Sequence, residues 1–317
     1  MEWQRYPWEG VSQESLLARI EQKYQRMLTA RPLPQVALDR MREHLIMEWT
    51  YHSNSIEGNT LTLQETRVVI EHGITVGGKT LREHFEALNH HQAIGFITSL
   101  AQPSYRLQAK DVLEVHRLVL QNIEKEYAGR YRNAGVRITG ANFTPPNALK
   151  VDALMNELLA WVHEEHALPL VVKACIFHHR FVWIHPFFDG NGRTTRLLFN
   201  LLLMQQGYPP AIILQQDRQK YYNALNRANE GHYGKLVVLI MQALERSIDR
   251  WLSQMDDTQD DFRPIANIVE EAQIPYGQEY LSLLVRQGKI AGHKEGKAWL
   301  TTEDAIHTYM AGRKRKR

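Results

Sequence analysis

The stretch HPFFDGNGRTTR, running from His185 to Arg196, decides how this 317-residue chain is read. It sets a histidine, an aspartate, two glycines around an asparagine, and two arginines in one turn and the start of one helix. The following RTTRLLFNLLLMQQG has a helical pattern that starts near Arg193 and stops at Gly207. Gly190, Asn191 and Gly192 therefore fall where the unpaired N–H groups of a helix N-terminus point outward. Such a terminus attracts anions through those groups and through its dipole. Glycine there allows a bent backbone and a close approach.

Taken singly, each residue has an ordinary explanation: a structural histidine, a turn aspartate, solvated helix arginines. Their conjunction points to phosphate chemistry. Arg193 and Arg196, three apart, share one helix face at the anion end, and arginine binds phosphate through two parallel hydrogen bonds. Asp189 is a hard oxygen ligand suited to Mg²⁺ on a polyphosphate. His185 can take a proton from an attacking hydroxyl, and Phe187 and Phe188 read as wedges that fix the loop. Zinc is the competing use of His178, His179 and His185. The first two point to different helix faces, and no cysteine or glutamate completes a familiar spacing. Neither a GxxxxGK[ST] loop nor a GxGxxG run after a strand is present.

The surroundings are mainly α. Capping boxes at Thr62/Glu65 and Thr80/Glu83 open two helices, and a third carries Leu113, His116, Arg117 and Leu120. Helical patterns continue over 151–166, 169–183, 193–206, 218–229 and 234–253. The break is GRYRNAGVRITGANFTPPNALK at 129–150, read as a short β-hairpin flap around VRIT. The polar, acidic MDDTQDD at 255–261 reads as a linker. Beyond it, 262–312 forms a compact unit of two helices, a small β-wing and a last helix. The expected organisation is thus a helical region over 1–110, a core over 111–254, the linker, the compact unit, and a basic tail at 313–317.

Bulk composition excludes several classes. With 44% hydrophobic and 23% charged residues the chain has ordinary globular composition. The single Cys175 cannot form a disulfide within the chain, which suits a cytoplasmic setting. The opening MEWQRYPWEG lacks a signal-peptide pattern, and no apolar run is long enough to span a membrane. Without the five basic residues at 313–317, the 38 Lys+Arg fall to 33 against 35 Asp+Glu, which removes any broad basic surface.

HPFFDGNGRTTR resembles the signature of Fic proteins, HPFx[D/E]GNGRxxR, at every specified position. FVWIHPF before it, the flap ending in two prolines, and YYNALNRANEG after it extend the likeness over about residues 35–250. The resemblance implies a Fic helical core and a protein adenylyltransferase, which moves AMP from ATP to a hydroxyl of a target protein. It implies His185 as the base and Asp189 as the Mg²⁺ ligand. Gly190, Asn191, Gly192, Arg193, Thr194 and Thr195 would hold phosphates, and Arg196 would reach the γ-phosphate. Tyr221, Tyr222 and Asn229 would enclose the adenosine. Thr139, Gly140 and Ala141 would form the flap that aligns the target by strand addition.

Upstream, SNSIEGN (53–59) sits at a helix end stopped by Gly58. Read alone it is a polar helix terminus. It also resembles the Fic inhibitory motif [S/T]xxxE[G/N], which places an inhibitory helix near 45–58. Ser53 and Glu57 lie one turn apart, and the resemblance implies that Glu57 pairs with Arg196 and blocks the γ-phosphate contact. Glu57 aligning a water to remove AMP is the alternative direction of the same chemistry.

The segment PYGQEYLSLLVRQGKIAGHKEGKAWLTTEDAIHTYM is similar to excisionase-like winged helix-turn-helix units, which implies a DNA contact by the helix from Tyr280 to Arg286. The five Lys+Arg against six Asp+Glu in 262–312 favour dimerisation or target docking equally. A nucleotide-sensing DNA-binding regulator is accordingly the competing function, with a homodimer as a further expected partner.

Overall fold

The computed structural model describes residues 14–29, 35–164, 168–253, 262–271, 274–295 and 298–314. The linker expected at 255–261 and the end of the basic tail lie outside them. The first helices are α1 (Glu14–Thr29), α2 (Gln35–Ile56), α3 (Leu63–His72), α4 (Leu81–Ser99) and α5 (Ala109–Leu120). They are followed by α6 (Val151–His163), α7 (Leu170–Ile184), α8 (Asn191–Met204), α9 (Arg218–Asn229) and α10 (Gly234–Leu252).

The centre is α7 packed along α8, with α4, α5, α6, α9 and α10 around them. The sequences explain the placement. LVVKACIFHHRFVWI is apolar on nearly every face and is buried on nearly every face, as a central helix must be. α8 is equally enclosed, from Asn191 and Arg193 through Leu203. α5 carries polar residues on one side and turns Val112, Val115, Val119 and Leu120 to the core. Both expected capping boxes are formed, at Thr62 and Thr80, each with reciprocal bonds to its glutamate. Among the described residues, no helix is long and apolar enough to cross a membrane.

The flap is not the expected hairpin. Residues 131–147 form turns and extended segments without any strand ladder. The return arm contains Pro145 and Pro146, which remove two N–H donors from any pairing. The segment is instead tied to α9, where Asn226 donates to the Gly140 carbonyl at 2.9 Å.

The C-terminal unit has its own core of Ile265, Ile268, Leu281, Leu284, Val285, Ile290 and Ile306. Its elements are β1 (Arg263–Pro264), α11 (Ile265–Glu271), α12 (Gln278–Arg286), β2 (His293–Glu295), β3 (Ala298–Thr301) and α13 (Glu303–Lys314). The antiparallel sheet has the order β1-β3-β2. α13 takes in the first two residues of the expected tail, because nothing in MAGRKRKR forbids helix before Lys314. The unit sits on α1 and α10. Arg19 donates to the Gly288 carbonyl at 3.1 Å, and Gln242 donates to the Val285 carbonyl at 2.7 Å.

Beneath that seat lies a buried charge cluster. Glu245 accepts from Arg19 Nε at 2.6 Å and from Lys23 Nζ at 2.9 Å, and Lys23 also meets Asp249 at 2.6 Å. Glu245→Ala would leave Arg19 without its carboxylate and Lys23 with Asp249 alone. The expected loss is ~3–5 kcal/mol, the usual cost of removing one partner of a buried pair. Chemical denaturation checks it, and a loss under ~1 kcal/mol would show the cluster to be solvated.

A second test of the core uses pH. Burial lowers His52 and His179 to about 4 and holds His90 and His178 well below their ordinary 6.5. The unfolded chain then binds more protons than the folded one as pH falls below 6.5. The stability these residues contribute is complete above that pH and is lost on acidification toward 4. Melting temperature is expected to drop by roughly 5 °C or more between pH 7 and pH 5. An unchanged value would mean that these rings are wet.

Candidate active site

Helix α7 ends at Ile184, and His185 follows in the left-handed region at φ 50°, ψ 61°, with its N–H on the Phe181 carbonyl at 3.0 Å. That conformation is costly for a non-glycine residue and is held from outside. Arg132, almost fully buried, donates from Nε to the His185 carbonyl at 2.8 Å. It also donates to the carbonyls of Ala134 and Pro146, at 2.9 and 2.5 Å. One guanidinium thereby joins the end of α7, the His185 turn and both roots of the flap. Burial, assisted by the Arg132 charge, lowers the His185 imidazole to about 4. At neutral pH the ring is uncharged and able to accept a proton.

The turn into α8 is built from within. Asn191 accepts from the Phe187 N–H at 3.0 Å and donates to the Phe187 carbonyl at 2.8 Å. Its amide is thus spent on shaping the loop, and what it offers an anion is its backbone. Gly190 caps the helix at φ 73°, with the His116 ring 3.3 Å from where a Cβ would stand. His116 contacts the Asp189 carbonyl through Nε2 at 3.0 Å and accepts from the Gly129 N–H through Nδ1 at 3.0 Å. The Gly129 donor fixes the tautomer, so Nε2 carries the hydrogen. The ring lies flat on Phe187, with centroids 3.5 Å apart. Phe187 is the fully buried wedge, whereas Phe188 is half-buried against Tyr127.

The Asp189 carboxylate is partly exposed beside the turn. Oδ1 accepts the Gly190 N–H at 2.6 Å, and Oδ2 meets Arg82 at 2.7 Å and Arg193 at 3.5 Å. Burial pushes its pKa up, but the Arg193 charge and the Gly190 and Arg82 contacts outweigh this and hold it below the ordinary carboxylate value. Arg193 is also paired with Glu86 at 3.1 Å.

A cleft of about 460 Å³ opens beside the turn, between His185 and Gly192 on one side and α9 with the flap on the other. Tyr221, Tyr222 and Asn229 line one end, and Thr139, Gly140 and Ala141 line the edge. Tyr221 is fixed from behind by a 2.9 Å bond between its hydroxyl and His178 Nε2.

The chain matches the model of the Fic/DOC family over residues 106–203. Its backbone superposes on Fic-1 (residues 134–508) from C. elegans with a TM-score of 0.69 at 32% identity, covering 76% of this chain and 72% of that one. The chain belongs to the Fic/DOC family. It is 36% identical over 243 residues to the protein adenylyltransferase Fic of Nematostella vectensis, covering 76% of this chain and 56% of the relative. It is 40% identical over 223 residues to that of Drosophila virilis, covering 70% and 46%. The chain thus spans about half the length of these relatives.

In this Fic chain the upstream motif reaches the cleft, where Glu57 is one of the lining residues. α2 ends at Ile56, and the turn through Gly58, at φ 106°, leaves Glu57 just past the helix. Glu57 Oε1 meets Arg196 at 2.7 Å. The same guanidinium donates to the Ser53 hydroxyl at 3.0 Å and to the Ser53 carbonyl at 2.8 Å. A Cβ on Gly192 would overlap Glu57 Oε1, so the carboxylate lies directly on the first turn of α8. Arg218 secures the helix end by donating to the Ile56 carbonyl at 2.6 Å.

Two expected contacts fall elsewhere. Thr194 and Thr195 are fully buried; Thr195 donates to the His178 carbonyl at 3.4 Å and so fastens α8 to α7, while the Thr194 hydroxyl has no hydrogen-bond partner among the described residues. His178 and His179 bond to Tyr221 and Tyr233, and among the described residues no group of three or more His, Cys, Asp or Glu could hold a metal by itself. Arg132, Arg82 and Glu86 were not indicated by the sequence. His116 was placed on a helix but given no role. No local spacing marks them, since each reaches the turn from a distant segment.

Proposed function

We propose that this Fic chain is a protein adenylyltransferase held off by its own Glu57. The observation that carries the reading is the carboxylate of Glu57 seated on Gly192 and Arg196. A negative group already lies against a buried guanidinium at the first turn of α8, where the helix dipole favours an anion.

With Glu57 displaced, the same position takes the γ-phosphate of ATP against Arg196. The β- and α-phosphates lie along the backbone of Gly190, Asn191 and Gly192, and the adenosine lies between Tyr221, Tyr222 and Asn229. A hydroxyl of a target protein attacks the α-phosphorus. The new O–P bond forms as the bond to the β-phosphate oxygen breaks, pyrophosphate leaves, and His185 accepts the hydroxyl proton. Arg193, buried and paired with Glu86, stands as a fixed positive charge beside the developing negative charge. The flap edge at Thr139, Gly140 and Ala141 aligns the target backbone as an added strand.

Asp189 suits Mg²⁺: it offers partly exposed hard oxygens beside the turn, and this ion commonly needs only one or two carboxylates beside substrate phosphates. Bound there, the cation would neutralise phosphate charge. Arg82, which now shares Oδ2, would have to yield part of that carboxylate.

The test distinguishes the group transferred. Glu57→Gly protein is incubated with ATP labelled at the α- or the γ-phosphate. Adenylyl transfer retains only the α label on protein. Retention of the γ label would replace the reading with phosphoryl transfer.

A further inference from the structure

His116, on α5, is fully buried and makes two hydrogen bonds of opposite sense. Nδ1 accepts from the Gly129 N–H at 3.0 Å, so Nε2 carries the ring hydrogen and donates to the Asp189 carbonyl at 3.0 Å. A trans peptide group is planar, with its carbonyl and its N–H on opposite sides. Turning the Asp189 carbonyl toward His116 therefore turns the next N–H, that of Gly190, away from it. That N–H donates to Asp189 Oδ1 at 2.6 Å. The other oxygen, Oδ2, meets Arg82 at 2.7 Å and Arg193 at 3.5 Å. The turn alone would also allow the opposite peptide orientation. Gly190, at φ 73° and ψ 0°, has the dihedrals of the third residue of a type II turn. In a type I turn the peptide before that residue is rotated over and its φ is negative, and glycine takes either sign of φ about equally readily. The rotated peptide would set the Gly190 N–H against the Nε2–H of His116, donor against donor, and Oδ1 would lose its hydrogen bond.

We propose that His116 is a positioning residue for the Asp189 carboxylate: it selects the one orientation of the Asp189–Gly190 peptide whose N–H steadies Oδ1, and so leaves Oδ2 to meet a cation. The inference rests on the Mg²⁺ reading of Asp189 above and adds to it the side chain that aims the carboxylate. His116 acts through the backbone alone and touches neither ion nor nucleotide.

The experiment is equilibrium binding of α,β-methylene-ATP, which does not turn over, to Glu57→Gly protein in excess Mg²⁺ and in EDTA. The ratio of the two affinities measures what the ion adds and cancels any change common to both conditions. Asp189→Ala gives the ratio without the carboxylate. His116→Gln keeps a donor at the place of Nε2, whereas His116→Asn keeps only an acceptor at the place of Nδ1. Both lose the ring that lies flat on Phe187, and neither adds volume to the core. Melting curves verify that both variants fold. In His116→Asn the ratio is expected to fall about tenfold toward the Asp189→Ala value, and in His116→Gln to stay within about twofold, tenfold being the usual scale of losing a group that orients a metal ligand. General loosening of the core would lower the ratio in both variants alike and would overturn the inference, as would a ratio that survives in His116→Asn. If Asp189→Ala leaves the ratio intact, the ion is not held by Asp189, and the Mg²⁺ reading fails together with this inference. If the analogue binds in neither condition, the nucleotide reading fails and carries both with it.

Discussion

Glu57→Gly protein is expected to incorporate AMP at least on the order of 100-fold faster than the unaltered chain at the same ATP concentration. The reason is the double occupancy of one place. Glu57 neutralises Arg196 at 2.7 Å and lies on Gly192, so a triphosphate must displace a carboxylate from a guanidinium that is only 2% exposed. Arg196 is buried but Glu57 is exposed, which puts this pair at or below the low end of the ~3–5 kcal/mol that a fully buried pair costs to break, and every 1.4 kcal/mol is tenfold in an equilibrium. Glycine removes the competitor and leaves Arg196 held by the Ser53 hydroxyl and carbonyl, poised for phosphate. Labelled-ATP incorporation measures the effect. Equal rates for the two proteins would remove Glu57 from the account. A rise with Glu57→Gln as large as with Glu57→Gly would place the inhibition in charge alone, whereas a smaller rise would add the space the side chain fills.

His185→Ala in the Glu57→Gly background is expected to abolish most of that incorporation, by ~10²–10⁴, while ATP affinity changes little. The side chain lies in the cleft, but its backbone is what the turn depends on, through Arg132 and the Phe181 carbonyl. The αL conformation costs alanine somewhat more than histidine, but Arg132 and the Phe181 carbonyl hold this backbone, so the turn should persist. Parallel measurement of ATP affinity and label transfer separates the effects. Transfer lost with binding retained assigns the proton-accepting role to His185. Transfer retained would give that role to another group, and loss of both would mean that the ring shapes the nucleotide site.

The sequence made the turn legible because its parts are adjacent. A histidine at the end of one helix and an anion nest at the start of the next need no tertiary information, and the structure places both there. Glu57 and Arg196 are 139 residues apart, and only the resemblance of SNSIEGN and HPFFDGNGRTTR to one family joined them. Arg132 and Arg82 reach the turn over 53 and 107 residues, and His116 over 73, with no motif to announce them. Asn191 was readable as part of the nest, but not as the clasp on Phe187, because its side-chain partner depends on the bend the glycines permit. The flap reads as a hairpin because VRIT has strand character locally, while the two prolines that deny it a partner lie in the returning arm.

Intact-mass and peptide mass spectrometry of Glu57→Gly protein, mixed with Mg²⁺-ATP and a cell lysate, tests the central claim most directly. The account predicts a covalent adduct of one AMP on a Ser, Thr or Tyr hydroxyl, present with Glu57→Gly and absent when His185→Ala is added. The contradicting result is the absence of AMP from every protein in the mixture while Glu57→Gly protein binds ATP.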